Sequence, residues 1–74
     1  MVRLRVKEIA EAKGISIPKL ARKADLDNRT VYRIVHDPFA EVTTFTLGRL
    51  AEALEVSVKE LIEDAPQPSS KQQN

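Results

Sequence analysis

Apolar residues recur along the chain at the spacing of short amphipathic helices. In residues 17–24 these apolar residues are Ile17, Leu20, Ala21 and Ala24. Their spacing of three, four and seven positions places them on one face of a helix. Residues 28–36 carry a second apolar face, formed by Val31, Ile34 and Val35. Since only residues 25–27 separate the two segments, the pattern predicts two short helices joined by a tight turn.

The polar face of the second segment has the chemistry of a nucleic-acid contact. Arg29, Tyr32, Arg33 and His36 follow the same i, i+3, i+4, i+7 spacing. Each of these side chains can donate a hydrogen bond to a phosphate or to a base edge. The pattern therefore predicts a helix-turn-helix whose second helix fits a DNA groove.

Four segments carry the same local signature of a helix start. An apolar residue precedes a capping residue, and another apolar residue follows the cap by four positions, as in an N-cap with a hydrophobic staple. The signature predicts helices that begin near residues 17, 28, 44 and 58, with the caps Ser16, Asp27, Thr43 and Ser57. Ser57 and Glu60 also fit a capping box.

A further helix is predicted before these four. Val2, Val6, Ile9 and Ala10 would share one face of it, and Gly14 would end it. The alternation of apolar and charged residues over 2–6 also fits a short strand, but no nearby segment offers such a strand a partner. We therefore favour a helix there.

The expected fold is all-α, with five short helices around one core in a domain of residues 1–64. Asp37-Pro38 should end the third helix, because proline disfavours helical geometry in the residue before it. Residues 65–74 have no apolar side chain larger than alanine or proline and are predicted to be a disordered C-terminal tail. The predicted core consists of Val6, Ile9, Leu20, Ala21, Leu26, Val31, Ile34, Leu47, Leu50, Ala51, Leu54, Val56 and Leu61.

Composition narrows the range of functions. The 74 residues include no cysteine, which excludes disulfides and thiolate metal sites. With one histidine and two glycines, neither a nucleophile–base pair nor a phosphate-binding loop can be assembled, so we expect no enzyme, no metal and no cofactor. Neither a membrane span nor a signal-peptide pattern is present, and we expect a soluble cytoplasmic protein.

Charge is distributed unevenly along the chain. Residues 1–36 contain nine Lys or Arg against four Asp or Glu, a net charge of +5, whereas residues 37–74 contain three against seven, a net charge of −4. The basic half contains the helix-turn-helix candidate and would meet a polyanion. The acidic half would face away from it.

Several short motifs occur in a fixed order between residues 3 and 63. They are Lys7-Glu8-Ile9, Gly14-Ile15-Ser16, Leu20-Ala21, the run 26–34, the run 47–54, Val56-Ser57 and Leu61-Ile62. In this order they resemble the phage-repressor/Cro-type, or Xre-type, family of helix-turn-helix DNA-binding domains. The resemblance implies a five-helix, lambda-repressor-like domain in which residues 16–24 form the positioning helix and residues 28–36 the recognition helix.

The resemblance also implies which residues contact DNA. In such domains the exposed residues in the first turns of the recognition helix touch bases, and here these are Asn28, Arg29, Thr30 and Arg33. Their chemistry suits the role, because arginine pairs bidentately with guanine and asparagine with adenine. Contacts with the DNA backbone are expected from Lys19, Arg22, Lys23, Tyr32 and His36.

Four features depart from the pattern of the family. Ile17 stands where the family often has glutamine, and Pro18 lacks a backbone N–H that could meet a phosphate. Asp25 replaces the usual turn glycine and tolerates a left-handed conformation at some cost. The loop 37–42 contains Glu41 and no basic residue, so it offers no phosphate clamp. Together these departures predict ordinary rather than tight affinity.

Two classes of function remain open. The first is a small prokaryotic or phage transcriptional regulator that binds double-stranded DNA sequence-specifically as a homodimer, an antitoxin-like autorepressor included. The second is a protein-interaction module, antitoxin-like or adaptor, which keeps the fold with weak or no DNA binding. Phe45 lies off the apolar stripe of its predicted helix and fits either a self-association surface or packing over the loop at Phe39.

Overall fold

Short helices surround one core, and a two-stranded sheet joins the ends of the chain. The computed structural model describes residues 1–65. Its elements are β1 Val2–Leu4, α1 Val6–Ala12, α2 Ile17–Ala24, α3 Asn28–His36, α4 Thr44–Leu54, a 3₁₀ turn Val58–Leu61 and β2 Ile62–Asp64. The predicted helix starts at residues 17, 28 and 44 are confirmed, and α3 ends directly before Asp37-Pro38 as predicted, whereas residue 58 begins only a 3₁₀ turn.

Three of the predicted caps are confirmed. The side chains of Ser16, Asp27 and Thr43 each accept a hydrogen bond from the backbone N–H three residues later, which satisfies a donor that the helix itself leaves unpaired. Ser57 makes no such bond, and its hydroxyl instead donates to the Glu60 carboxylate at 3.4 Å. The predicted capping box is therefore wrong, because this segment forms a single 3₁₀ turn and lacks the geometry of an α-helix start.

The N-terminal segment is a strand, and the prediction of a helix from Val2 is wrong. β1 pairs antiparallel with β2, so that Arg3 lies opposite Glu63 and Leu4 opposite Ile62. The partner of Arg3 lies 60 residues later in the chain, which explains why no nearby segment completes the pattern. Leu4 is buried and Arg3 is not, as expected for a strand with one face on the core.

The C-terminal helix is also shorter than expected. Residues 58–61 form one 3₁₀ turn, and residues 62–64 are extended in β2. The backbone N–H of Arg5 donates to the carbonyl of Leu61, so the sheet takes over the backbone groups that a longer helix would use. The fold is mostly helical, with four α-helices in the described residues rather than five.

The two ends of the described chain meet beside the sheet. Met1 and Ala65 exchange backbone hydrogen bonds of 3.1 and 2.9 Å. The rest of the predicted tail, residues 66–74, lies outside the described residues. None of the helices within residues 1–65 is long and apolar enough to cross a membrane.

The core follows the predicted helical stripes. Its largest fully buried side chains are Leu20, Ile34, Leu50, Leu54, Leu61, Val6 and Val31, all of which were predicted. Four predicted members pack only at its edge: Ile9, Leu26, Leu47 and Val56. The prediction omitted Leu4, Val35 and three alanines, Ala10, Ala24 and Ala53, which are buried. Leu4 was missed because its strand was read as helix.

Among residues 1–65, two residues other than glycine adopt the left-handed conformation. Asp25, which ends α2, has φ 58° and ψ 45°, as the turn position predicted. Its carboxylate accepts a hydrogen bond of 2.9 Å from the Arg49 guanidinium, so α4 is tied to the turn. Glu55, which ends α4, has φ 60° and ψ 45°, and this left-handed position was not predicted.

Replacing Glu55 with glycine should stabilise the protein. A left-handed residue with a Cβ costs about 1 kcal/mol, and part of this gain is offset by the entropy that glycine adds to the unfolded chain. We expect a net increase of about 0.5 kcal/mol in the free energy of unfolding, measured by urea denaturation. Glu52→Gly, inside the same helix, is the control and should lower it by about 1 kcal/mol. A lower midpoint for both variants would contradict the prediction.

Candidate nucleic-acid interface

Helices α2 and α3 form the predicted helix-turn-helix. They pack against each other, and α2 also packs on α4. The buried side of α3 carries Val31, Ile34 and Val35. In the turn between the helices, the left-handed Asp25 reverses the chain and Asp27 caps α3. This arrangement leaves the polar face of α3 open to solvent.

The predicted contact residues are accessible, but they do not form one cluster. Eight of the nine are exposed, and Thr30 is half-buried. The side chains of Asn28, Arg29 and Tyr32 line one groove, whereas those of Thr30 and Arg33 line another. The division follows from helical geometry, because successive residues point 100° apart around the axis and the two sets lie on different sides of the open face.

The first groove lies between the start of α2 and the start of α3, and we call it the α2–α3 groove. It is lined by Ile17, Pro18, Asn28, Arg29 and Tyr32. The Tyr32 ring is 58% exposed and lies against the His36 ring, with 4.1 Å between the ring centroids. The two aromatic residues predicted to contact the DNA backbone thus support each other along one side of α3.

The second groove lies between α3 and the start of α4, and we call it the α3–α4 groove. It is lined by Thr30, Arg33, Glu41, Val42, Thr43 and Thr46. Both terminal nitrogens of Arg33 donate to the carbonyl oxygen of Glu41 at 3.4 Å. These bonds are long and therefore weak. The loop 37–42, which was noted for Glu41 and its lack of basic residues, thus contacts a predicted base-contacting arginine without fixing it.

Two hydroxyls of the α3–α4 groove were missed as candidate contacts. The Thr43 hydroxyl oxygen lies 3.1 Å from both the backbone nitrogen and the hydroxyl oxygen of Thr46. Thr43 was predicted only as a cap, and no role was predicted for Thr46. Both threonines lie at the start of α4, which packs beside the helix-turn-helix. This position was the sequence signal that could have indicated them as candidate contacts.

The cap of α3 brings a carboxylate to the edge of this surface. The pKa of the Asp27 carboxyl is held below its usual value. The largest contribution comes from the side chain of Thr30, the next from the backbone N–H of Thr30, and a smaller one from the charge of Arg29. Because the folded pKa is lowered, the stabilisation by Asp27 is present above about pH 4 and is lost as the pH falls through the lowered value. Acid should therefore loosen the start of α3.

Comparison with known proteins assigns the chain to a family. Residues 5–67 match the model of the Cro/C1-type helix-turn-helix DNA-binding domain. The chain belongs to this family. Its fold is similar to that of a candidate DNA-binding protein from Bacteroides fragilis, with a TM-score of 0.74 and 24% identity over 85% of this chain and 100% of that chain. No curated protein matches closely enough to count as a relative.

A second solved structure has a similar fold. The complex of the SinR protein and the SinI protein contains a chain that matches with a TM-score of 0.74 and 22% identity, over 93% of this chain and 70% of that chain. At these identities both likenesses concern the fold alone. They agree with the mostly helical architecture of a Cro/C1-type domain.

In this Cro/C1-type domain, the arginines outside the helix-turn-helix are neutralised by neighbouring carboxylates. Arg3 pairs with Glu63 across the sheet and lies 3.5 Å from Glu8. Arg5 pairs with Glu8 at 3.0 Å. The hydrogen bond from Arg5, followed by its charge and that of Arg3, lowers the pKa of the Glu8 carboxyl. These two arginines therefore add little to the potential that a polyanion would meet.

The basic residues of the helix-turn-helix differ in this respect. We call them the cationic face: Lys19, Arg22, Lys23, Arg29 and Arg33. Within residues 1–65, the ion pairs of basic side chains involve only Arg3, Arg5 and Arg49. No described carboxylate therefore pairs with the cationic face, and in the basic half the same holds for Lys7 and Lys13.

Proposed function

We propose that this Cro/C1-type domain is a transcriptional regulator that binds double-stranded DNA sequence-specifically, with α3 in the major groove. The observation that supports the proposal is the cationic face, which carries five basic side chains without a carboxylate partner among residues 1–65. Each of these side chains that contacts a phosphate releases condensed counterions from the DNA, which favours binding.

The two grooves suggest that different base-contacting residues read different base pairs. Asn28 and Arg29 would read base edges from the α2–α3 groove, and Thr30 and Arg33 from the α3–α4 groove. Contacts with the phosphates would come from Lys19, Arg22, Lys23, Tyr32 and His36. On this proposal α3 reads two separate positions of each half-site.

We propose further that the domain acts as a homodimer on DNA. One module of this size covers only about 600–1,000 Å² of its own surface on DNA, so tight binding needs a second copy. Two copies related by a two-fold axis require a pseudo-palindromic site whose halves lie about 34 Å apart.

Selection from a random duplex DNA library, followed by a salt titration on the enriched sequence, tests the proposal. Enrichment of a palindromic motif, with an affinity that falls steeply as salt rises, is the expected result. If no sequence is enriched and no salt-sensitive binding is found, the proposal is wrong.

Lys19→Ala should weaken binding equally on every sequence. Because Lys19 is exposed at the start of α2 and is assigned to a phosphate, its loss should reduce the salt slope, the dependence of log K on log salt, by about one. Fluorescence anisotropy at several salt concentrations measures this slope. Lys59→Ala, an exposed lysine on the 3₁₀ turn, is the matched control and should leave the slope unchanged. An unchanged slope for Lys19→Ala would remove Lys19 from the phosphate contacts.

A protein-interaction module is the second candidate, and Phe45 is the observation that favours it. This side chain is 67% exposed on α4, and the Arg49 guanidinium covers its ring at 4.9 Å from the centroid. A similar fold occurs in the complex of the SinR and SinI proteins. If selection enriches no DNA while Phe45→Ser abolishes self-association measured by sedimentation, this second function is supported.

A further inference from the structure

The α2–α3 groove has an unusual surface for the side of a protein that meets DNA. Its lining is mostly apolar and includes Ile17, Pro18 and Tyr32, while polar groups come from Asn28, Arg29 and the Tyr32 hydroxyl. Pro18 and Tyr32 are exposed, and Ile17 is half-buried at the edge of the core. A continuous apolar surface here is not needed to complete the core.

A phosphate does not suit this groove. A helix start normally binds a phosphate through its free backbone N–H groups. In α2, Pro18 has no N–H, and the N–H of Lys19 is already bonded to the Ser16 hydroxyl oxygen at 3.3 Å. The donors that hold an anion are therefore largely missing from this end of α2, and the walls of the groove are apolar.

The major groove of DNA displays one apolar substituent, the C5-methyl group of thymine. We propose that the α2–α3 groove receives this methyl group in each half-site, so that Ile17, Pro18 and the Tyr32 ring specify thymine beside the base pair that Asn28 or Arg29 reads, while the Tyr32 hydroxyl makes the backbone contact. The inference rests on the proposed function, since it requires α3 to lie in the major groove. It adds a preference for thymine that hydrogen bonds from Asn28 and Arg29 do not provide.

The size of the groove sets the size of the effect. At about 500 Å³, it is an open surface rather than a fitted pocket, so a methyl group is covered on one side only. The loss of one such contact should lower affinity about two- to fourfold per half-site, since even a fully buried methyl group contributes only about fourfold.

A deoxyuridine scan of the selected duplex tests the inference. Each thymine is replaced in turn by deoxyuridine, which keeps the base pair and removes only the methyl group. We expect about a two- to fourfold loss of affinity at one thymine of each half-site and none at thymines outside the half-sites. In the Ile17→Gln and Pro18→Ser variants, the thymine and deoxyuridine duplexes should bind equally well. Pro18 is exposed, so its variant keeps the test valid if Ile17→Gln unfolds.

Val58→Gln supplies the matched control. Val58 is an apolar residue that is 40% exposed, but it lies on the 3₁₀ turn and not in the α2–α3 groove. The Val58→Gln variant should therefore lose as much affinity on deoxyuridine duplexes as the unchanged protein does. If the selected duplex binds with a steep salt slope but tolerates deoxyuridine everywhere, or contains no thymine in its half-sites, the inference is wrong while the proposed function stands. If no sequence is enriched, both are wrong.

Discussion

Truncating Leu50 to alanine should lower the free energy of unfolding by about 2–5 kcal/mol, the usual cost of removing a buried leucine side chain. Leu50 is fully buried on α4, and α4 packs against α1, α2 and the 3₁₀ turn. The cavity would therefore open between several elements at once. A domain of this length has a total stability of only about 4–11 kcal/mol, so a large part of it would be lost.

Urea denaturation measures this loss, and Leu47→Ala is the matched control. Leu47 lies one turn earlier on the same helix and is only partly buried, so the same substitution should cost clearly less. Both variants should keep the slope of the transition, which reports the surface exposed on unfolding. If the midpoint of Leu50→Ala fell no further than that of Leu47→Ala, α4 would not carry the core in the way we describe.

The features that the sequence predicted are those that a few neighbouring residues decide. The caps at Ser16, Asp27 and Thr43 each act within three residues of the helix that they start. The left-handed turn at Asp25 and the end of α3 before Pro38 are equally local. These signals placed the helix-turn-helix correctly, because its boundaries depend on short-range backbone hydrogen bonds.

The features that the sequence did not predict depend on contacts between distant residues. The alternation over residues 2–6 was noticed, but β1 is stable only because Glu63 and Ile62 lie opposite Arg3 and Leu4. The same pairing draws residues 62–64 away from the predicted fifth helix. Neither change can be read from the local pattern, since strand pairing at this separation is decided by the assembled core.

The division of the candidate site into two grooves has a similar origin. Spacing alone placed Arg29 and Arg33 on one face of α3. The approach of the loop before α4 brings the Glu41 carbonyl to Arg33, while Pro18 at the start of α2 lies on the side of Arg29. The sequence predicted both arginines as contacts. It did not predict that they lie in different grooves, because the grooves form only when three helices pack together.

Arg33→Ala should weaken binding to the selected DNA by about 5- to 150-fold, or about 1–3 kcal/mol, and should relax the preference at one base pair. The guanidinium pairs with guanine through two donors in a fixed fork. In the free protein the same two nitrogens rest on the Glu41 carbonyl at 3.4 Å, and because these bonds are long, little is lost when Arg33 turns to the DNA. Competitive binding to duplexes that differ at one base pair measures the effect.

Arg33→Lys separates base recognition from charge. Lysine keeps the positive charge but lacks the planar fork, so the salt slope should stay and the discrimination at that base pair should fall. Arg29→Ala should relax a different base pair, because Arg29 lines the α2–α3 groove and Arg33 the α3–α4 groove. If Arg33→Ala weakens binding equally on every duplex, Arg33 contacts the backbone, and the reading of two positions by α3 is wrong.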